Sequence, residues 1–132
     1  LSFGKVAGFQ HRGRPVEPFT MVAGLKARAT SAPPFRLPTR WKKAVSSLSD
    51  DVAVNFVSTN DIIGGNSGSP LVNANGELIG LVFDGNRYSL GGAYGFDPLL
   101  NRTVSVHADF IRTALMKVYK ARRLVTELGF KP

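Results

Sequence analysis

The sequence predicts a mainly β domain that ends in an α-helix. Three observations carry this prediction. Fourteen glycines and eight prolines in 132 residues supply many turns, which favours short strands over a helical bundle. Residues 52–59 alternate, and two apolar runs, PLVN and ELIGLVF, flank a turn signal at 74–76. From 108 to 128 the apolar residues recur instead at helical spacing. The length, with 43% hydrophobic residues, suits a single domain with its own core.

The elements follow in order. LSFGKVAGF, residues 1–9, is apolar with glycine interruptions and reads as a strand. Residues 10–27 mix charge, proline and glycine, and MVAGL at 21–25 reads as a short strand. Residues 28–40 hold three prolines and read as loop, and WKKAVSSL at 41–48 as a short helical turn. In VAVNFVST, residues 52–59, Val52, Val54 and Phe56 point to one face and Ala53, Asn55 and Val57 to the other. This strand leads into GGNSGSP, residues 64–70. PLVN and ELIGLVF then flank Ala74-Asn75-Gly76, a hairpin signal because Asn and Gly both tolerate positive φ. Residues 85–101 form a glycine-rich surface loop, and RTVSV at 102–106 is the last strand. Ile111, Leu115, Val118, Ala121, Val125 and Leu128 make the stripe of the terminal helix, with Asp109 as its N-cap and Gly129 as its stop. The chain thus divides into residues 1–107, the strands, and 108–132, a helix packed on them.

Composition removes several function classes. There is no cysteine, so disulfides and thiolate metal sites are excluded. His11 and His107 are too few and too far apart for a zinc cluster, and no metal or cofactor is implied. No apolar run reaches the ~20 residues of a membrane span. The net charge of +8 permits a polyanionic partner, but Lys and Arg are dispersed, with small clusters only at Trp41-Lys42-Lys43 and Lys120-Ala121-Arg122-Arg123. A solvated basic surface is the better reading, so no nucleic-acid partner is expected.

GGNSGSP raises a choice between a nucleophile loop and a flexible turn. A serine hydroxyl is a poor nucleophile; it needs a base and donors for the oxyanion formed on attack. Gly65 lies two residues before Ser67, and backbone N–H groups so spaced can converge on one oxygen. Glycine at 65 permits a path that a β-carbon obstructs, and Gly68 lets the chain turn away behind the serine. The α/β-hydrolase elbow requires a helix after the serine, whereas here a strand hairpin follows.

GNSGSP followed by that hairpin resembles the chymotrypsin-like serine proteases, whose returning strand lines the substrate pocket. STNDI (58–62), GGNSGSP and FDGN (83–86), with FDP at 96–98, RTVSV, the opening LSFGKVAGF and the tail RRLVTEL, narrow this. Together they resemble the C-terminal part of the bacterial dipeptidyl-peptidase family, chymotrypsin-fold serine exopeptidases with an inserted helical domain. The resemblance is weakest over residues 10–50. It implies one six-stranded barrel of a double barrel, followed by the terminal helix. It implies Ser67 as nucleophile and the N–H groups of Gly65 and Ser67 as oxyanion donors. Phe83, Asp84 and Gly85 fall on the substrate-binding strand. Asp84 matches an acid that holds the free amine of the substrate, a sensible use of a carboxylate beside a substrate backbone. Gly85 matches the position that sets preference for the second substrate residue (P1), and glycine there implies hydrophobic P1. Asp61, six residues before Ser67, competes as the acid of a tryptic pocket, but the family is not tryptic and Asp61 is read as structural, capping the turn at 61–64.

The rest of a triad is missing. His and Asp precede Ser along chymotrypsin-like chains. His11 sits among Arg12, Gly13 and Arg14, and His107 follows the serine at a strand-to-helix junction, so neither fits the base. Two barrels need more than ~200 residues. The chain, which begins at Leu1 without a methionine or a visible signal peptide, is therefore expected to be a C-terminal fragment, inactive in isolation. Its expected partners are a peptide with a free N-terminus and the N-terminal barrel and helical domain of the parent chain. An uncovered apolar face favours a homodimer. The resemblance implies a periplasmic or secreted location. Two alternatives are a non-catalytic barrel that binds a polyanion and an endopeptidase of the glutamyl-endopeptidase kind, which also carries GNSGSP.

Overall fold

A computed structural model describes residues 1–92 and 94–130. Ala93 of the glycine-rich loop and Lys131 and Pro132 at the end of the expected helix lie outside the described residues. The strands are Phe9–His11 (β1), Arg14–Val16 (β2), Phe19–Met21 (β3), Ala53–Ser58 (β4), Pro70–Val72 (β5), Leu78–Gly85 (β6) and Thr103–His107 (β7). The helices are Val22–Arg28 (α1), Thr39–Ala44 (α2), Ala108–Thr113 (α3) and Arg122–Glu127 (α4). β1 and β2 form a two-stranded sheet; the other five pair antiparallel in the order β3-β4-β7-β6-β5.

The mainly β class is therefore as the sequence predicts, but the six-stranded barrel is not closed. Residues 5–7 supply part of the missing edge. Ala7 N–H donates to the Val57 carbonyl at 3.2 Å and Thr59 N–H to the Lys5 carbonyl at 3.0 Å, beside the end of β4. β3 pairs with the beginning of the same strand, Phe19 opposite Phe56 and Met21 opposite Ala53. The β1–β2 hairpin is an excursion between these two pairings. Among the described residues β5 keeps one free edge, and a groove of about 870 Å³ opens between it and residues 1–6.

β4 shows how the interior is filled. Val54, Phe56 and Ser58 are buried on one face, as their spacing predicts. Val54 packs with Val22 of α1, Leu48 and Val118, flanked by Trp41 and Phe110. The Trp41 and Phe110 rings stack at 5.4 Å, and Trp41 Nε1 donates to the Tyr119 hydroxyl at 3.1 Å. Phe56 lies where β6 carries Gly80; a Cβ there would fall 2.5 Å from the ring. Ser58, at the far end, faces the groove.

Three local expectations change. The strand expected at 21–25 is instead the start of α1: Val22 is fully buried, with Leu25 and Lys26 partly buried at helical spacing on its flank. The expected hairpin does form between β5 and β6, turning over Asn73–Glu77 with Gly76 at φ +78° and the Asn73 side chain accepting from Asn75 and Glu77 N–H. The terminal helix is broken. After α3 the chain widens to a π-turn over Ala114–Val118, Lys120 adopts φ +53°, and α4 restarts at Arg122. His107 caps α3, its Nδ1 accepting from Asp109 N–H at 3.1 Å, so the cap lies two residues before the expected Asp109. Gly129, at φ +69°, does end α4.

Candidate active site

The serine loop is shaped by two glycines and one asparagine. Gly65 has φ +99° and Gly68 φ +89°, the left-handed region that side chains disfavour. A Cβ at either would meet nothing within 4 Å, so torsion rather than crowding demands glycine at 65. Asn66 Oδ1 accepts from Ile63 N–H at 2.9 Å and closes the turn. That is the capping role expected of Asp61, which lines the large groove instead. Gly68 N–H donates to the Val82 carbonyl at 2.7 Å and Val82 N–H to the Ser69 carbonyl at 2.9 Å, which locks the loop to β6. Ser67 is left exposed, its hydroxyl donating to the Phe83 carbonyl at 3.3 Å. The N–H groups of Gly65 and Ser67 have no acceptor among the described residues.

β6 presents the second wall. Val82 pairs with Ser105 but Asp84 with Val104, so Phe83 is an extra residue, a β-bulge. Strict alternation would turn Asp84 to the buried face of Val82; the bulge keeps Phe83 and Asp84 both exposed. Asp84 Oδ1 accepts from Gly85 N–H at 2.8 Å, and no cation pairs with it among the described residues. Ser67, Phe83, Asp84 and Gly85 line one cavity of about 190 Å³, together with Ile63 and Leu90. His11 and His107 do not line it. His11 Nδ1 bonds the Tyr88 hydroxyl at 2.7 Å, and His107 lies against Phe19 and Phe56.

Behind the cavity stands a support that the sequence did not single out. Asn86 donates to the Leu100 carbonyl at 2.7 Å and accepts from Arg102 N–H at 3.2 Å and from the Ser89 hydroxyl at 3.0 Å. Arg102 is buried, yet no carboxylate pairs with it among the described residues. Its guanidinium donates to the carbonyls of Ala7, Gly8, Pro98 and Asn101 at 2.7–3.2 Å. A buried cation is tolerable when its donors are all engaged, and Arg carries enough of them to reach several acceptors at once. Arg102→Met is expected to cost about 3 kcal/mol, because it strands buried carbonyl groups. A fall in the midpoint of chemical denaturation, with the slope unchanged, would show it.

A model of the peptidase S46 family matches residues 1–130. The chain belongs to the peptidase S46 family. Its similarity extends to characterised members. The dipeptidyl-peptidase 7 of Phocaeicola vulgatus is 33% identical over 138 residues, covering 97% of this chain and 19% of its own length. That of Porphyromonas endodontalis is 47% identical over 82 residues, 62% of this chain and 10% of its own. The Asp/Glu-specific dipeptidyl-peptidase of Shewanella putrefaciens is 33% identical over 159 residues, 97% of this chain and 22% of its own. The crystal structure of Porphyromonas endodontalis DPP11 in complex with the dipeptide Arg-Glu superposes with a TM-score of 0.89 at 26% identity, over 97% of this chain and 20% of that one. The chain thus spans about a tenth to a fifth of the length of the curated relatives it matches.

Proposed function

We propose that this chain is the nucleophile-bearing part of a longer serine dipeptidyl aminopeptidase. Ser67 is the nucleophile, and the N–H groups of Gly65 and Ser67 receive the oxyanion. Asp84 takes the α-ammonium of the substrate, so that only a free N-terminus is read and cleavage follows the second residue. The observation that carries the reading is one cavity lined by both Ser67 and Asp84, a carboxylate that no cation pairs with among the described residues. A clamp on the ammonium beside the nucleophile makes an exopeptidase, because an internal segment has no ammonium to offer. The base and its orienting acid come from the upstream barrel, so the chain alone is inactive. The groove between residues 1–6 and β5, with Phe3 and Val72 exposed at its rim, is the face that the upstream part covers.

P1 is hydrophobic in this reading. Among the described residues Asp84 is the only charged one lining the cavity, and the remainder includes Ile62, Ile63, Phe83 and Leu90. A carboxylate side chain would find no cation there.

The test is product identity. The full-length protein is incubated with a peptide of mixed sequence, once with a free N-terminus and once acetylated, and the products are weighed. Dipeptides are expected from the free peptide alone. Internal cleavage of the acetylated peptide would replace this reading with an endopeptidase.

A further inference from the structure

We propose that Ser89 limits the width of the pocket beside Ser67, and that positions 85 and 89 act as one specificity element for the second residue of the substrate. The inference rests on the peptidase reading above, which supplies the substrate. A Cβ built on Gly85 would lie 2.9 Å from the Cβ of Ser89 and 3.3 Å from its Oγ. Gly85 is not among the glycines with positive φ, so space rather than torsion excludes a side chain there. The obstructing atom is a Cβ, whose place is set by the backbone and cannot be relieved by a rotamer change.

That backbone is itself held. Ser89 N–H donates to the Asn86 carbonyl at 2.9 Å, and its hydroxyl lies 3.0 Å from Asn86 Oδ1 and 3.2 Å from the Arg102 carbonyl. The turn over Arg87–Gly91 is therefore lashed to the start of β7 and presses Ser89 against β6. Ser89 and Gly85 both line the cavity that holds Ser67. A side chain at 85 requires a smaller residue at 89, or a displaced turn. With Gly85 present, the Ser89 Cβ is the wall that limits the girth of the substrate side chain and favours aliphatic over aromatic residues.

The experiment uses the full-length protein and dipeptidyl chromogenic substrates with Ala, Val, Leu or Phe in the second position. Ser89→Gly removes the Cβ and is expected to raise kcat/KM for Phe over Val by about tenfold, the scale at which pockets discriminate side-chain bulk. Ser89→Ala keeps the Cβ but loses both hydroxyl bonds; it should retain the wild-type preference whatever its effect on rate. Gly85→Ala should lower kcat/KM for every substrate by about tenfold, and Gly85→Ala with Ser89→Gly should recover most of that loss, a coupling of the two sites. Should Ser89→Gly fail to fold, Ser89→Thr enlarges the wall and must shift preference the other way, towards Ala. Equal shifts in Ser89→Gly and Ser89→Ala, an unmoved preference, or no rescue of Gly85→Ala would each overturn the proposal while the peptidase reading stands. A wild-type protein that releases no dipeptide removes both.

Discussion

Ser67→Ala in the full-length protein is expected to lower dipeptide release by on the order of 10⁶-fold, since nucleophile and base act as a unit and either loss costs nearly the whole. The effect should fall on kcat. The side chain is exposed and makes one long bond, to the Phe83 carbonyl, so substrate binding and folding should be little altered. A residual rate above water should survive, because the N–H groups of Gly65 and Ser67 belong to the backbone and remain. Two measurements check this: turnover of a dipeptidyl chromogenic substrate, which should fall to that residual level, and labelling by a serine-directed phosphonate, which the variant should lose. Turnover within about tenfold of wild type would remove Ser67 from the chemistry.

The second large effect is expected at Asp84. Asp84→Asn is nearly isosteric and can still accept from Gly85 N–H, so it removes the charge and little else. Loss of one partner of a charge pair that the bound substrate shields from water costs about 2–5 kcal/mol, which places the drop in kcat/KM between roughly 30-fold and several thousand-fold. An acetylated substrate separates this from a general defect. The wild-type protein should discriminate strongly between free and acetylated N-termini, and the variant should lose that discrimination. The wild-type rate should also fall as pH rises through the α-amino pKa of about 7.7–8, where the ammonium disappears; the variant should not show this limb. A variant that still prefers free N-termini by the wild-type ratio would place the amine elsewhere.

The sequence made the serine loop legible because its demands are local. Gly65 and Gly68 announce positive φ, and the hairpin that follows shows which face the loop must serve. β4 was equally plain, since Val54, Phe56 and Ser58 alternate on a half-buried strand. What stayed hidden depends on distant partners. MVAGL satisfies a strand by composition, but Val22 is claimed by the core around Leu48, Val54 and Val118 as the first residue of α1. The apolar stripe from Ile111 to Leu128 keeps helical spacing while the backbone widens at Ala114–Val118 and breaks at Lys120. Spacing alone cannot register one added residue in a turn. The bulge at Phe83 is a property of the pairing with β7, not of FDGN itself. Asn86, Ser89 and Arg102 carried no signal because their partners are mostly backbone groups brought near by folding; a buried arginine reads in sequence as one more surface charge.

Arg102 has a consequence for how this region tolerates change over generations. Every group its guanidinium hydrogen-bonds is a main-chain carbonyl, on Ala7, Gly8, Pro98 and Asn101. Through these bonds it places no demand on the side chains at those positions, only on the path the chain takes through them. Replacements there leave the clasp intact wherever the new residue fits the same path. An insertion or deletion between Pro98 and Arg102 slides an acceptor away, and no change of side chain at those positions restores it. At this clasp drift in letters is easier than drift in length.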